Sequence, residues 1–469
     1  MNTIRFQKMD GTAVEIKKSE ITTSLSGEII DPDTDNYNEA RSLWNGMINK
    51  YPSLIIRVKD EQDVINAVNF ARNHKILLAV KSGGHNIAGK ALVDGGLVID
   101  FHFMKTVKVN ELQKTVKVGP GATLADVDKA TQEHGLVVPT GINSTTGIAG
   151  LTLGGGFGWT TRKFGLTIDC LRSAKLIIAT GELLEVNAKQ HSDLFWAICG
   201  GGGNFGIVTE FEFNLHQAGP EVLAGMVVHP FSDMKNVLQK YQVAIDNAPP
   251  ELSCWVVMRK APPLPFLPEQ WHGQEILVLA MCYIGNIDEG QKVTQELRQI
   301  GQSIADVVGP MPFVDWQSAF DPLLTEGARN YWKSLDLAQI NAKTVSEIEK
   351  ALQTLPSDEC EIFIAHVGGA ITNVAAHETP WLNRDAHFTM NVHTRWQSPE
   401  DDETCQNWAR NLHTNLTPHS MGSIYVNFIP EGDENSIGEA YGSNYARLKS
   451  IKQQFDPSNL FRTNQNIAP

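Results

Sequence analysis

Val80-Lys81-Ser82-Gly83-Gly84-His85-Asn86-Ile87-Ala88-Gly89 is the stretch on which the reading of this chain turns. The apolar run Ile76 to Ala79 before it follows a helical pattern, so it reads as a buried strand that delivers a tight turn. Adjacent glycines cost chain entropy, and they suit places where the backbone takes φ > 0 or lets another group approach closely. Bare N–H groups in such a turn make a concave anion site suited to a pyrophosphate. His85 follows directly, a nucleophile whose ordinary pKa leaves it largely neutral at pH 7. Taken alone, the motif also fits a surface turn with a histidine at its tip, so the surrounding chain has to decide.

Working outward, 469 residues are too many for one ordinary core, and two or more domains are expected. Hydrophobic content of 42% and aromatic content of 8% exclude disordered and collagen-like classes. The net charge is −14, from 39 basic against 53 acidic residues. That balance argues against a nucleic-acid partner and against an anionic membrane surface. The N-terminus has no apolar signal segment and no run reaches membrane-spanning length, so the expectation is a cytoplasmic protein, monomeric or homodimeric. Six cysteines lie scattered, with no Cys-x-x-Cys, and are expected to be reduced core residues, with no metal site.

Leu54 to Val58 reads as a strand, and Asp60 with Asp63 caps a helix whose apolar face is Val64, Val68 and Ala71. Leu97 to Phe101 and Thr115 to Val118 read as strands, and Thr123 with Asp126 opens a helix that Gly135 closes. Residues 139 to 159 carry glycines too densely for packed regular structure, with apolar residues between them, which suggests backbone lying against a flat ligand. A literal Gly-x-Gly-x-x-Gly at 201, 203 and 206 follows a helix and precedes a strand, the reverse of the Rossmann order, so it does not indicate a nicotinamide site. Beyond Gly219 the texture becomes that of an antiparallel sheet with amphipathic helices, including strands at 275–283, 361–367 and 387–396 and a helix at 345–355. Near Ser423 it changes again, to a strand at Ile424 to Phe428, a helix from Glu439 to Phe455 and a short tail. The fold expected is α+β, divided at 1–218, 219–423 and 424–469.

Taken together these segments resemble one family, the berberine-bridge-enzyme-like FAD-linked oxidases of the vanillyl-alcohol-oxidase (PCMH-type) superfamily. The resemblance rests on Lys-Ser-Gly-Gly-His-Asn at 81–86, Leu-Gly-Gly-Gly-Phe-Gly at 153–158 and Lys-Phe-Gly-Leu-Thr-Ile-Asp at 163–169. It continues through Asp-Leu-Phe-Trp-Ala at 193–197, Asn-Phe-Gly-Ile-Val-Thr at 204–209, Tyr-Val-Asn-Phe at 425–428 and the tail from Tyr441 to Ile467. It implies a PCMH-type FAD domain built from the N-terminal part and the C-terminal return, with a substrate domain inserted between them. It also implies FAD attached covalently through His85. Many members add a second bond from a cysteine; that position is Asn143 here, so the resemblance is to singly linked bacterial members. Thr146 stands where members with two links carry a residue associated with oxygen access.

The same resemblance assigns Ser82, Gly83, Gly84, Asn86 and Gly89 to the pyrophosphate, and Gly141, Gly147, Gly150, Gly154 and Gly155 to the length of the cofactor. It brings Ile207 and Val208 to the adenine, and Asn427, Asn464 and Asn466 back from the tail. The activity implied is oxidation of an alcohol or amine carbon of a small molecule by hydride transfer to flavin N5, with O2 reoxidation to H2O2. The alternative is a flavoprotein dehydrogenase with another acceptor.

The strand at 387–396 can also be read by itself. Phe388, Met390, Val392 and Trp396 face one way, and Thr389, Asn391, His393 and Arg395 the other. A solvated face would explain the polar set. In the resembling family, however, this strand roofs the flavin and often carries a glutamate, for which Arg395 is the nearest position here. Asn391 and Arg395 are therefore the expected substrate contacts, with Arg395 gripping an acidic group. His393 or Tyr425 is the expected base.

Overall fold

Strands Leu54–Arg57, Leu97–Asp100 and Leu78–Lys81 run parallel, with Glu28–Ile30 antiparallel at the edge, in a four-stranded sheet. Leu54–Arg57 and Leu97–Asp100 are buried along their whole length, as near-continuous apolar runs in a covered parallel sheet should be. The crossover helix Glu61–His74 starts where the Asp60 side chain accepts from the Asp63 amide, and it buries Val64, Val68 and Ala71. Leu78–Lys81 then delivers the glycine turn at its C-terminal end, the end where parallel sheets place ligands. The computed structural model describes residues 3–433 and 435–469.

A second, five-stranded antiparallel sheet has the order Leu183–Asn187, Leu171–Ile177, Ile207–Asn214, Thr115–Val118, Val107–Asn110. Helix Leu124–Gln132 opens with a reciprocal Thr123–Asp126 capping box. The third sheet is antiparallel and eight-stranded: Ala305–Asp306, Glu221–Pro230, Glu275–Tyr283, Leu252–Lys260, Glu361–His366, Phe388–Trp396 and Arg329–Leu337, with Gly309–Pro312 also paired to Glu221–Pro230. One face of it, including Val256, Leu279, Ile362 and Met390, packs under helices Met234–Asp246, Ala342–Leu352 and Asp402–Leu416. The opposite face, including Trp255, Val278 and Phe363, meets Phe157, Trp159 and Tyr425. Because side chains alternate along a strand, each strand of this sheet feeds two separate cores.

The tail is bolted to the third glycine run. Buried Lys452 pairs with buried Asp456 at 2.7 Å, and its Nζ also donates to the Asn204 and Phe461 carbonyls. Asn204 returns two bonds to the tail, from Nδ2 to the Gln465 carbonyl and from the Ile467 amide to Oδ1. A buried ion pair holds only when its remaining donors are satisfied, and here the backbone of both segments does that.

Three expectations need correcting. The segment 424–428 is not a strand: Val426–Phe428 forms a 3-10 turn, with the Tyr425 amide bonded to the Ser334 hydroxyl rather than to a ladder. The helix expected over 439–455 is broken at Gly442 (φ 45), into Ser436–Tyr441 and Tyr445–Phe455. The glycine-dense segment 139–159 contains a short helix, Ile148–Leu153, flanked by Gly147 and Gly154. All six cysteines are buried and unbonded, and among the described residues no helix is long and apolar enough to cross a membrane.

Candidate active site

Between the glycine turn and the inner face of the large sheet lies a cavity of ≈ 380 Å³. His85 lines it, half-buried, with its ring stacked on Trp44 at 5.2 Å. His85 Nε2 is 3.0 Å from Thr145 Oγ1, and Nδ1 is 3.4 Å from Thr146 Oγ1. Thr145 Oγ1 donates its own hydrogen to Asn143 Oδ1 at 2.7 Å, so toward His85 it accepts. The ring is thereby fixed as the Nε2–H tautomer, with the Nδ1 lone pair unprotonated. Burial keeps the imidazole neutral, its pKa down to about 4, against an opposing hydrogen bond that the ring donates to the Thr145 backbone.

Ser82, Gly83, Gly84, Asn86, Gly141, Asn143, Thr146, Gly147 and Gly150 also line the cavity. A Cβ on Gly83 would stand 2.3 Å from the Gly147 amide nitrogen, and one on Gly147 2.4 Å from that of Gly83. These two glycines let the turn and the 147 segment press together. Gly150 and Gly203 differ: both line the cavity, and a Cβ on either would meet nothing within 4 Å. Gly89, Gly154, Gly155 and Asn466 are outside the lining. Gly89 is packed on Ile48, Gly154 on the Asn427 amide and Gly155 on Trp381, each as a close approach behind the wall. Ile207, Val208, Asn427 and Asn464 do line it, and the buried Asn464 Oδ1 has no partner among the described residues.

Tyr425 is a wall residue whose Oη accepts from the Gly156 amide (3.2 Å) and from Asn427 Nδ2 (2.8 Å). Burial among Phe157, Trp381 and Phe428 pushes its phenol up to about 12, while those two bonds pull it down. Its own hydrogen has no acceptor among the described residues.

The roof is a row read straight across four strands, since Arg259 pairs with Glu361, Glu361 with His393, and His393 with Trp332. All four side chains line the cavity. Glu361 Oε2 accepts from Arg259 Nη1 at 2.7 Å, and Glu361 Oε1 lies 3.0 Å from His393 Nδ1. Burial would raise the Glu361 pKa, but Arg259 and His393 overcome it and hold it at about 2.

The polar set on Phe388–Trp396 is therefore not a solvated face; every residue of that strand is buried. Two of the expected substrate contacts are displaced. Arg395 is not in the lining: its Nε donates to Glu359 at 2.7 Å and its Nη2 to the Thr325 carbonyl at 2.8 Å, so its charge is already matched. Asn391 is also outside the lining, buried, with both amide atoms unpartnered among the described residues. The carboxylate sought near Arg395 comes instead from Glu361 on the adjacent strand, and Arg259 accompanies it. The signal for both was a charge inside an otherwise apolar strand, which becomes a site only once the register is known.

The comparisons agree with this geometry. A family model described as FAD binding domain matches residues 52–187, and one described as berberine and berberine like matches 424–468. An FAD-linked oxidoreductase of Dictyostelium discoideum is 31% identical over 457 residues, covering 96% of each chain. The chain belongs to the berberine-bridge-enzyme-like FAD-linked oxidoreductases. Among other berberine-bridge-enzyme-like relatives, (R)-6-hydroxynicotine oxidase of Paenarthrobacter nicotinovorans is 28% identical over 461 residues, covering 95% of this chain and 97% of that one. A crystal structure of 6-hydroxy-D-nicotine oxidase from Arthrobacter nicotinovorans superposes with a TM-score of 0.86 at 27% identity, covering 95% of this chain and 98% of that one. This berberine-bridge-enzyme-like oxidoreductase thus has the PCMH-type α+β fold. Its site fits FAD: the open floor at Gly150 and Gly203 and the orphaned Asn464 Oδ1 are what a flat, polar-edged ligand would fill.

Proposed function

We propose that this oxidoreductase is an oxidase carrying FAD bonded to His85 Nδ1, and that it oxidises a small molecule at a carbon bearing a hydroxyl or amine. In this reading residues 1–218 and 424–469 hold the cofactor and 219–423 supply the roof over the substrate. Ser82, Gly83, Gly84 and Asn86 would hold the pyrophosphate, with Ile207 and Val208 at the adenine. FAD supplies two-electron acceptance from the substrate carbon and passes the electrons to O2, yielding H2O2.

The observation that carries the reading is His85 itself: buried enough to stay neutral, with one nitrogen occupied by Thr145 and the other holding a lone pair. An unprotonated nitrogen is what bond formation to carbon requires. Tyr425 handles the substrate proton. Donors from Gly156 and Asn427 stabilise its phenolate, so it can take a proton from the substrate hydroxyl or amine, and its own O–H can orient that group beforehand. The aromatic walls exclude water from that exchange.

Acid precipitation of the purified protein tests the attachment. Flavin should remain with the pellet in the wild type and pass to the supernatant in His85→Ala. A dehydrogenase reading is favoured only by Thr146, whose hydroxyl stands beside His85 at 3.4 Å. Mixing reduced enzyme with O2 distinguishes the two, since an oxidase reoxidises rapidly.

A further inference from the structure

His393 is fixed between two acceptors. Its Nδ1 faces the Glu361 carboxylate at 3.0 Å, and its Nε2 lies 3.2 Å from Asn330 Oδ1. The Asn330 amide cannot be turned round, because its Nδ2 donates to the Ala328 carbonyl at 2.9 Å. Both ring nitrogens are therefore engaged within the wall, one by Glu361 and one by Asn330. That removes His393 from the candidates for the base, because neither nitrogen is left for the substrate.

The row carries one fixed cation, Arg259, beside one carboxylate, Glu361. Neighbouring charges do not alter the balance, since Arg395 pairs with Glu359, Lys260 with Asp358 and Arg329 with Asp402. Arg259 Nη1 is taken by Glu361 and its Nε by the Lys260 carbonyl, while Nη2 has no hydrogen-bond partner among the described residues. A guanidinium N–H left open in a wall of Trp332, Phe363 and Val257 is expensive unless an acceptor completes it.

We propose that Arg259, through its open Nη2, is a receptor for a singly charged oxyanion of the substrate, a carboxylate or a phenolate, held at the roof end of the cavity. This rests on the reading of the cavity as a substrate site. Phe428 links the two ends, packing on Tyr425 at 4.8 Å and on Trp332 at 5.2 Å, while Trp332 meets His393 at 4.9 Å. The wall between Tyr425 and the roof row is thus aromatic, and the substrate class is an aromatic or similarly flat acid. Glu361 is a positioning residue: it anchors the His393 ring and aims Arg259.

Calorimetric titration of the flavin-loaded protein with benzoate, benzamide and a nitrophenol tests this without turnover. Benzoate should bind roughly ten- to a hundred-fold more tightly than benzamide, the range expected for a charge-assisted hydrogen bond. Arg259→Gln should erase that preference, and Arg259→Lys should restore part of it. Nitrophenol absorbance reports whether a phenolate is captured as the anion and so distinguishes the two sources of oxyanion. Equal affinity for benzoate and benzamide in the wild type, which needs no variant to fold, would overturn the proposal. So would a preference surviving intact in Arg259→Gln. Absence of flavin from the purified protein would instead overturn the oxidase reading, and is seen separately by absorbance.

Discussion

The two sides of the cavity were built from different kinds of information. The floor, from Ser82 to Asn86 and from Gly141 to Gly150, is made of consecutive residues whose backbone does the work. The roof is made of single side chains, Arg259, Glu361, Trp332 and His393, drawn from four strands separated by up to 134 positions, from 259 to 393. A floor of this kind is written in local sequence and tolerates little change at its glycines. A roof depends on pairing register, so one substitution there changes chemistry without disturbing the binding of the cofactor.

That contrast can be broken experimentally, and the largest effect belongs to the floor. His85→Ala should convert tightly held flavin into flavin fully released by acid, with the fold kept. Next, Tyr425→Phe should lower kcat by about 10²-fold or more, the usual worth of a positioned acid or base, at unchanged flavin content. Because the Tyr425 pKa lies at about 12, the active phenolate grows with pH, so the wild-type rate should climb from neutral into alkaline solution and the Phe variant should lose the climb.

Glu361→Gln tests the roof and should destabilise by about 3 kcal/mol, because the buried Arg259 loses its counter-charge. The wild type shows the same linkage through pH. The Glu361 folded-state pKa is depressed from its ordinary 4.5 to about 2, so its contribution is fully present above 4.5 and disappears as pH falls through 2. Denaturant melts across that window should show the loss, and the Gln variant should lack this component. The smallest effect is expected at Asn391→Leu. Removing a buried amide with no partners among the described residues should raise stability by roughly 1 kcal/mol and leave KM unchanged. A clear rise in KM would return Asn391 to the substrate site.

The sequence makes the floor legible because glycine carries positional meaning by itself: Gly84 does sit at φ 72, and the turn does end a parallel strand. The capping pairs at Asp60–Asp63 and Thr123–Asp126 are legible for the same local reason. Arg395 misleads because alternation correctly puts it on the His393 face but says nothing of Glu359, which answers its charge one strand away. Glu361 stays hidden because its meaning is entirely in its cross-strand partners. The turn at Val426–Phe428 reads as a strand because its residues have strand propensity, and tertiary bonding to Ser334 overrides it.

The central claim is the bond between His85 and the cofactor. Proteolysis of denatured protein followed by mass spectrometry should find the peptide containing His85 heavier by one flavin nucleotide, with that mass lost in His85→Ala. An unmodified His85 peptide from protein that is yellow when folded would contradict it.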